Sequence, residues 1–291
     1  MNPFLQLLES GRNLVADGAT GTNLQRMGLK PGSAPEDLVF DQPDLLVALA
    51  AAFVEAGSDI ILTCTFGATR LRMKDSPYAG RAAEINRRAV ELARQAASAR
   101  PGVLVAGSIG PTGALLKPYG PLAVEDAEAA FYQQAEALAA GGVDLLVIET
   151  QFAYDEADAA FRAARAVGDL PIVVSFSYDR GTRTMMGVKP AEMIAHYRKM
   201  GAVLVGANCG TTLENMEKVA AEYAAAEPGF PLWIKPNAGL PRIEADQTVY
   251  DVTPAQMAEH ARSLAGHGAR VVGGCCGSTP EHIAAIAGAL H

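Results

Sequence analysis

Eight times along its length the chain repeats one phrase: a short run of Val, Ile and Leu, then a longer segment with apolar residues at helical spacing. That alternation limits the fold more than any other feature. The apolar runs cover residues 13–16, 59–65, 103–108, 144–149, 171–177, 202–208, 231–235 and 269–274. They are nearly continuous, as in parallel strands covered by helices on their outer face. The helical segments cover 43–56, 79–99, 123–140, 155–167, 190–200, 213–226, 253–266 and 280–290. Capping residue plus proline starts several, as in Thr253-Pro254 and Thr279-Pro280, and glycine ends others, as in Gly141-Gly142 and Met200-Gly201. Strict β-α alternation eight times over predicts the α/β class and a closed (β/α)8 barrel, a TIM barrel, ahead of an open doubly wound sheet. No linker or composition shift interrupts the sequence, so residues 1–291 are expected to form one domain. The loop from Leu29 to Gln42, with a glycine and two prolines, is the evident extra feature.

A barrel of this kind builds its site from residues at the C-terminal ends of its strands. Read in turn, those ends carry Asp17-Gly18-Ala19-Thr20, Cys64-Thr65, Ser108, Glu149-Thr150, Ser177, Asn208-Cys209, Lys235-Pro236-Asn237 and Cys275-Cys276. Polar and sulfur-bearing residues gather there, while the strand interiors are apolar. Two of the four cysteines stand side by side among Gly273, Gly274 and Gly277, and a third, Cys209, closes the sixth run. The compartment matters to their meaning. No window holds the ~18 apolar residues of a membrane span, and the first residues lack a basic stretch followed by a long apolar run, so a cytoplasmic protein is expected. In a reducing compartment clustered cysteines are more often metal ligands or catalytic groups than disulfides. With 24 basic and 32 acidic side chains the formal charge is −8, which argues against nucleic acid or an anionic membrane as partner.

Cys209, Cys275 and Cys276 are therefore expected to meet around one metal ion. Three thiolates suit zinc, and three protein ligands leave a fourth position open. Neighbouring strand residues face opposite ways, so Cys275 and Cys276 can share a metal only where the backbone bends, which the flanking glycines are expected to permit. Three thiolates over-neutralise Zn²⁺, since 2 − 3 = −1, and make it a poor activator of water. Such a site holds a substrate thiol deprotonated yet nucleophilic, so the chemistry points to thiol alkylation.

Asp17-Gly18-Ala19-Thr20-Gly21-Thr22, Gly206-Ala207-Asn208-Cys209-Gly210 and Gly273-Gly274-Cys275-Cys276-Gly277 resemble the motifs of the zinc-dependent homocysteine S-methyltransferase family, from about Leu14 to the C-terminus. The resemblance implies a (β/α)8 barrel, zinc on Cys209, Cys275 and Cys276, and methyl transfer to homocysteine to form methionine. It also implies that Asp17, Gly18, Ala19 and Glu149 bind the amino acid end of the substrate, joined by Thr65 and Asn237. Charge-assisted hydrogen bonds from an ammonium to such carboxylates are strong ones.

The donor stays open between betaine or a similar onium compound and a methyl-corrinoid carried by a separate protein. Onium donors are held in aromatic cages. The betaine branch carries a tryptophan shortly after the stretch that here reads Ala34-Pro35-Glu36-Asp37, whereas this chain's one tryptophan is Trp233; Phe40, Phe66, Tyr78 and Tyr119 are the rings available. Two other functions stand beside this one: a barrel metallohydrolase, which favours histidine and carboxylate ligands, and a non-catalytic barrel that stores or senses zinc or a thiol. A homo-oligomer is compatible with the sequence. Cys64 lies inside the second run and is expected to pack in the core, as are Met185 and Met186 beside the fifth strand. All five histidines fall in or beside helices, away from the strand ends.

Overall fold

The computed structural model describes residues 2–30, 32–244 and 247–291, with the side chain of residue 247 left aside. Pro31, in the loop from Leu29 to Gln42, lies outside the described residues. Eight parallel strands occur in the predicted order: β1 (Leu14–Val15), β2 (Ile60–Leu62), β3 (Leu104–Ile109), β4 (Leu145–Gln151), β5 (Ile172–Phe176), β6 (Leu204–Cys209), β7 (Leu232–Pro236) and β10 (Ala269–Val272). The sheet runs β1-β10-β7-β6-β5-β4-β3-β2. Its two ends join: the Asp59 amide donates to the Val15 carbonyl at 2.7 Å and the Asp17 amide to the Ile60 carbonyl at 3.0 Å. The barrel is closed.

Period two then sorts every strand residue to one of two cores. Leu14, Ala16, Ile60, Leu104, Ala106, Leu145, Val147, Val173, Leu204, Trp233 and Val271 fill the barrel, and the residues between them, such as Val15, Val105, Leu146 and Val174, pack outward on helices. The outer layer is α4 (Pro43–Glu55), α5 (Ala82–Ala97), α6 (Val124–Gly141), α7 (Tyr154–Ala166), α8 (Pro190–Met200), α9 (Leu213–Ala226), α10 (Pro254–Gly266) and α11 (Pro280–Leu290). Their bounds fall within three residues of those read from the sequence. Gly142 and Gly201 end α6 and α8 with φ of 90° and 92°, the left-handed caps their position called for.

Three pieces go beyond the eightfold repeat. The helix α1 (Pro3–Glu9) is capped by Asn2, whose side chain accepts from the Phe4 amide at 2.9 Å and donates to the Asp144 carbonyl. It drives Phe4, fully buried, into the inner core and closes the N-terminal end of the barrel. The short α2 (Thr20–Arg26) follows β1, and the insertion of 29–42 carries a 3-10 turn (Pro35–Asp37) and α3 (Leu38–Asp41). Buried Glu36 in that insertion accepts a hydrogen bond from the Gly67 amide, fastening the insertion beside the end of β2. An antiparallel hairpin of β8 (Arg242–Glu244) and β9 (Gln247–Val249) stands between β7 and α10. No helix among the described residues is long and apolar enough to cross a membrane.

Candidate active site

The inner face of the barrel changes character two residues beyond its apolar layer. Ala106 is followed on the same face by Ser108, Val147 by Glu149, Val173 by Ser175, Trp233 by Lys235 and, past Gly206 and Gly273, come Asn208 and Cys275. The polar layer is cross-tied. Fully buried Asn208 accepts from the Thr150 amide at 2.9 Å and the Ser175 hydroxyl at 2.6 Å, and donates to the Thr150 hydroxyl at 2.7 Å and toward Cys209 Sγ at 3.5 Å. Thr150 and Cys209 have φ of 60° and 56°, the non-glycine residues with positive φ among the described ones. Such backbone costs on the order of 1–3 kcal/mol and persists where neighbours over-determine it, as the Asn208 side chain does here.

That turn at Cys209 brings its sulfur 2.8 Å from Cys275 Sγ, and the sulfurs of Cys209, Cys275 and Cys276 all lie within 4.8 Å of one another. The strand has already ended at Val272. The Cys275 amide donates to the Pro236 carbonyl at 2.7 Å, the Cys276 carbonyl accepts from the Ala238 amide at 2.9 Å, and the Ser278 amide folds back onto the Cys275 carbonyl. The glycines' expected role needs correction in part. Only Gly277 has the left-handed φ, 81°; a Cβ on Gly273 would meet the Asp17 carbonyl at 2.8 Å and one on Gly274 the Ser278 hydroxyl at 2.3 Å, so those two allow close approach instead of a bend. Tyr250, which the sequence did not single out, lays its ring where a Cβ on Gly277 would be and hydrogen-bonds to the Cys276 sulfur.

Three thiols this close cannot all ionise unaided. Hydrogen bonds from Cys209 and then Cys275 pull Cys276 far below the ordinary thiol range, while bonding to Cys275 and Cys276, with burial, pushes Cys209 far above it. A cation among them would release both remaining protons. Cys64 stays apart, packed against the outer core, its thiol pushed well up by burial and by Glu36.

Beside the sulfurs lies a charged cluster. Asp17 is buried and accepts from Lys235 Nζ at 2.6 Å and from the Leu62 amide at 2.7 Å. Glu149, also buried, accepts from the Ser108 hydroxyl. Burial raises its pKa to about 7, against the pull of Lys235 and with a push from Cys275 and Asp17. Burial opposes the charge on Lys235 too, but Asp17 and Glu149 more than offset it and hold the amine protonated. Lys235 was legible as a strand end and was not read as a site residue; its place two residues after Trp233 was the signal.

The other expected residues have definite partners. A Cβ on Gly18 would lie 2.6 Å from the Phe53 ring, and the Ala19 amide donates to the Ser278 hydroxyl, 3.1 Å away, beside the cysteine turn. Thr65, fully buried, donates to the Ser108 carbonyl at 2.7 Å. Asn237 donates to the Gly210 carbonyl at 3.1 Å, and its buried Oδ1 has no hydrogen-bond partner among the described residues. Met185 and Met186 are exposed on the loop after β5, not filling a gap, because the loop turns back on itself through Thr184. The histidines lie away from the sulfurs, paired with Asp158, Glu217 and Asp59 or, for His282, capping α11.

A model of the homocysteine S-methyltransferase family matches residues 14–290. Among solved structures, the metallated form of the homocysteine methyltransferase MmuM from Escherichia coli is 26% identical, with a TM-score of 0.85 over 99% of each chain. Its apo form, again 26% identical, superposes with a TM-score of 0.78 over 99% of this chain and 100% of that one. A methyltransferase from Methanosarcina mazei, 13% identical with a TM-score of 0.62 over 99% of this chain and 96% of the other, shares the fold.

Proposed function

The chain belongs to the homocysteine S-methyltransferase family, and on that premise we propose that it methylates homocysteine to methionine at a zinc ion held by Cys209, Cys275 and Cys276. The observation that carries this is the meeting of three sulfurs from the ends of β6 and β10 beside the Asp17–Lys235 pair and Glu149. The donor set suits zinc: three soft sulfurs within 4.8 Å, with no histidine or carboxylate joining the group among the described residues. Bound there, zinc supplies the positive charge that keeps a substrate thiol deprotonated near neutral pH.

The chain's own residues do the positioning. Glu149 and the Asp17–Lys235 pair form the charged end of the pocket and take the zwitterionic end of homocysteine, flanked by the backbone of Gly18 and Ala19. Asn237 offers its free Oδ1 from the other side, and Thr65 backs the wall through Ser108. The substrate sulfur then attacks the donor's methyl carbon in line. A sulfur–carbon bond forms as the donor's bond to that carbon breaks, and the donor leaves with the electron pair. Deprotonation and orientation supply most of the rate gain.

The donor is a small onium compound or a methyl-corrinoid. Three of the four candidate rings already face an internal guanidinium: Arg81 lies 4.2 Å from the Phe40 centroid and 5.6 Å from that of Tyr78, and Arg72 lies 5.4 Å from Phe66. An onium cage is therefore not built from these rings. The test is zinc-loaded protein with homocysteine and, separately, betaine, S-methylmethionine, S-adenosylmethionine and methylcobalamin, scored for methionine. One donor should give methionine; none doing so with zinc at full stoichiometry would overturn the proposal.

A further inference from the structure

Among the described residues Lys235 is the one lysine or arginine in the buried set, and it points into the most polar layer of the barrel. It stands between two carboxylates of unequal freedom. Asp17 has both oxygens engaged, Oδ1 by Lys235 and Oδ2 by the Leu62 amide, while Glu149 receives one hydrogen bond, from Ser108. A substrate ammonium seeking a carboxylate finds the first already matched by a cation and the second not.

We infer that Lys235 is the positioning residue of the amino acid pocket: by holding Asp17 it leaves Glu149 as the carboxylate that receives the substrate's ammonium group. This rests on the homocysteine reading and divides labour within it. Asp17 acts through Lys235, and Lys235 acts by keeping Glu149 ionised despite its burial. The groups facing Glu149 are Lys235 from β7, Ser108 from β3, Asp17 past β1 and Cys275 past β10. Lys235 and Ser108 favour its charged form; Cys275 and Asp17 oppose it. Removing the positive charge and removing the Asp17 charge therefore push Glu149 in opposite directions, which a purely structural ion pair would not do to a ligand-binding profile.

The experiment is calorimetric binding of methionine to the full-length protein from pH 5.5 to 8.5. Methionine presents the amino acid end without a thiol, so sulfur ionisation does not enter. Wild-type affinity should rise with pH through about 7, as Glu149 ionises. In Lys235→Met that rise should move up by about one pH unit, weakening binding at pH 7 about tenfold, and Lys235→Arg should restore it. In Asp17→Asn the rise should move down. An unmoved rise in folded Lys235→Met overturns the inference. Should that variant not fold, Asp17→Asn decides alone: a downward shift supports the inference, and a pH-independent loss or an upward shift overturns it. Wild-type protein that binds no methionine at any pH would overturn the homocysteine reading, and this inference with it.

Discussion

The two ends of the barrel each bury a carboxylate and resolve it in different ways. At the N-terminal end Asp59, 5% exposed, accepts from the Val15 amide at 2.9 Å and is ringed by Arg12 at 3.0 Å and His291 at 3.1 Å, side chains that reach in from the surface. At the C-terminal end Asp17 and Glu149 share one lysine, itself 3% exposed, and lie beside three thiols. The first arrangement lets partners keep contact with water, so the carboxylate fastens β1 to β2 at little cost. In the second, charge is held away from water with fewer partners than it could use. That unfinished valence is what a bound zwitterion or metal would complete.

The comparison breaks most visibly if the top of the barrel can be cut without loss of function. Cys276→Ala should lose zinc and methyl transfer together, by more than about 100-fold in rate, since even a residue that only supports a ligand costs that order. Metal analysis on the same sample checks the pairing of the two losses. At the other end Phe4→Ala should do the reverse: about 3–5 kcal/mol of stability lost from the inner core, read by denaturant unfolding, with zinc content unchanged. The smallest effect sharpens the contrast. Glu149 has its pKa raised from 4.5 to about 7, so its contribution to stability is full below 4.5 and is lost as pH rises through about 7. Glu149→Gln in metal-free protein should therefore melt higher than wild type at pH 8, by on the order of 2 kcal/mol, and match it near pH 4.5. The same variant should bind methionine poorly at pH 8. A charge that destabilises the fold is retained for the ligand.

Much of this was legible beforehand because barrel strands announce themselves. Continuous apolar runs and the glycine and proline signals around them fixed the order of eight strands, and period two carried the cysteines and Glu149 to one mouth. What escaped was local or non-local in specific ways. Helix α1 is seven residues long, too short for periodicity, although Asn2-Pro3 is a cap-plus-proline pair. The hairpin of β8 and β9 is polar and exposed along Arg242–Glu244, so no apolar run marks it. Lys235 could have been found by counting two from Trp233; that it meets Asp17, 218 residues away, could not. The left-handed turns at Thr150 and Cys209 had no signal, because neither residue type favours that conformation.

The claim beneath all of this is that the sulfur of homocysteine goes to the three-cysteine centre while its amino acid end goes to the charged cluster. Calorimetry on zinc-loaded protein with homocysteine and homoserine, which differ only in sulfur for oxygen, separates the two. Homocysteine should bind about 100-fold more tightly at pH 7 and release a proton to the buffer, because a soft thiolate ligand must be deprotonated to bind. Cys276→Ala should erase both the preference and the proton. Equal affinity for the two ligands in zinc-loaded wild-type protein, with no proton released, would contradict the account.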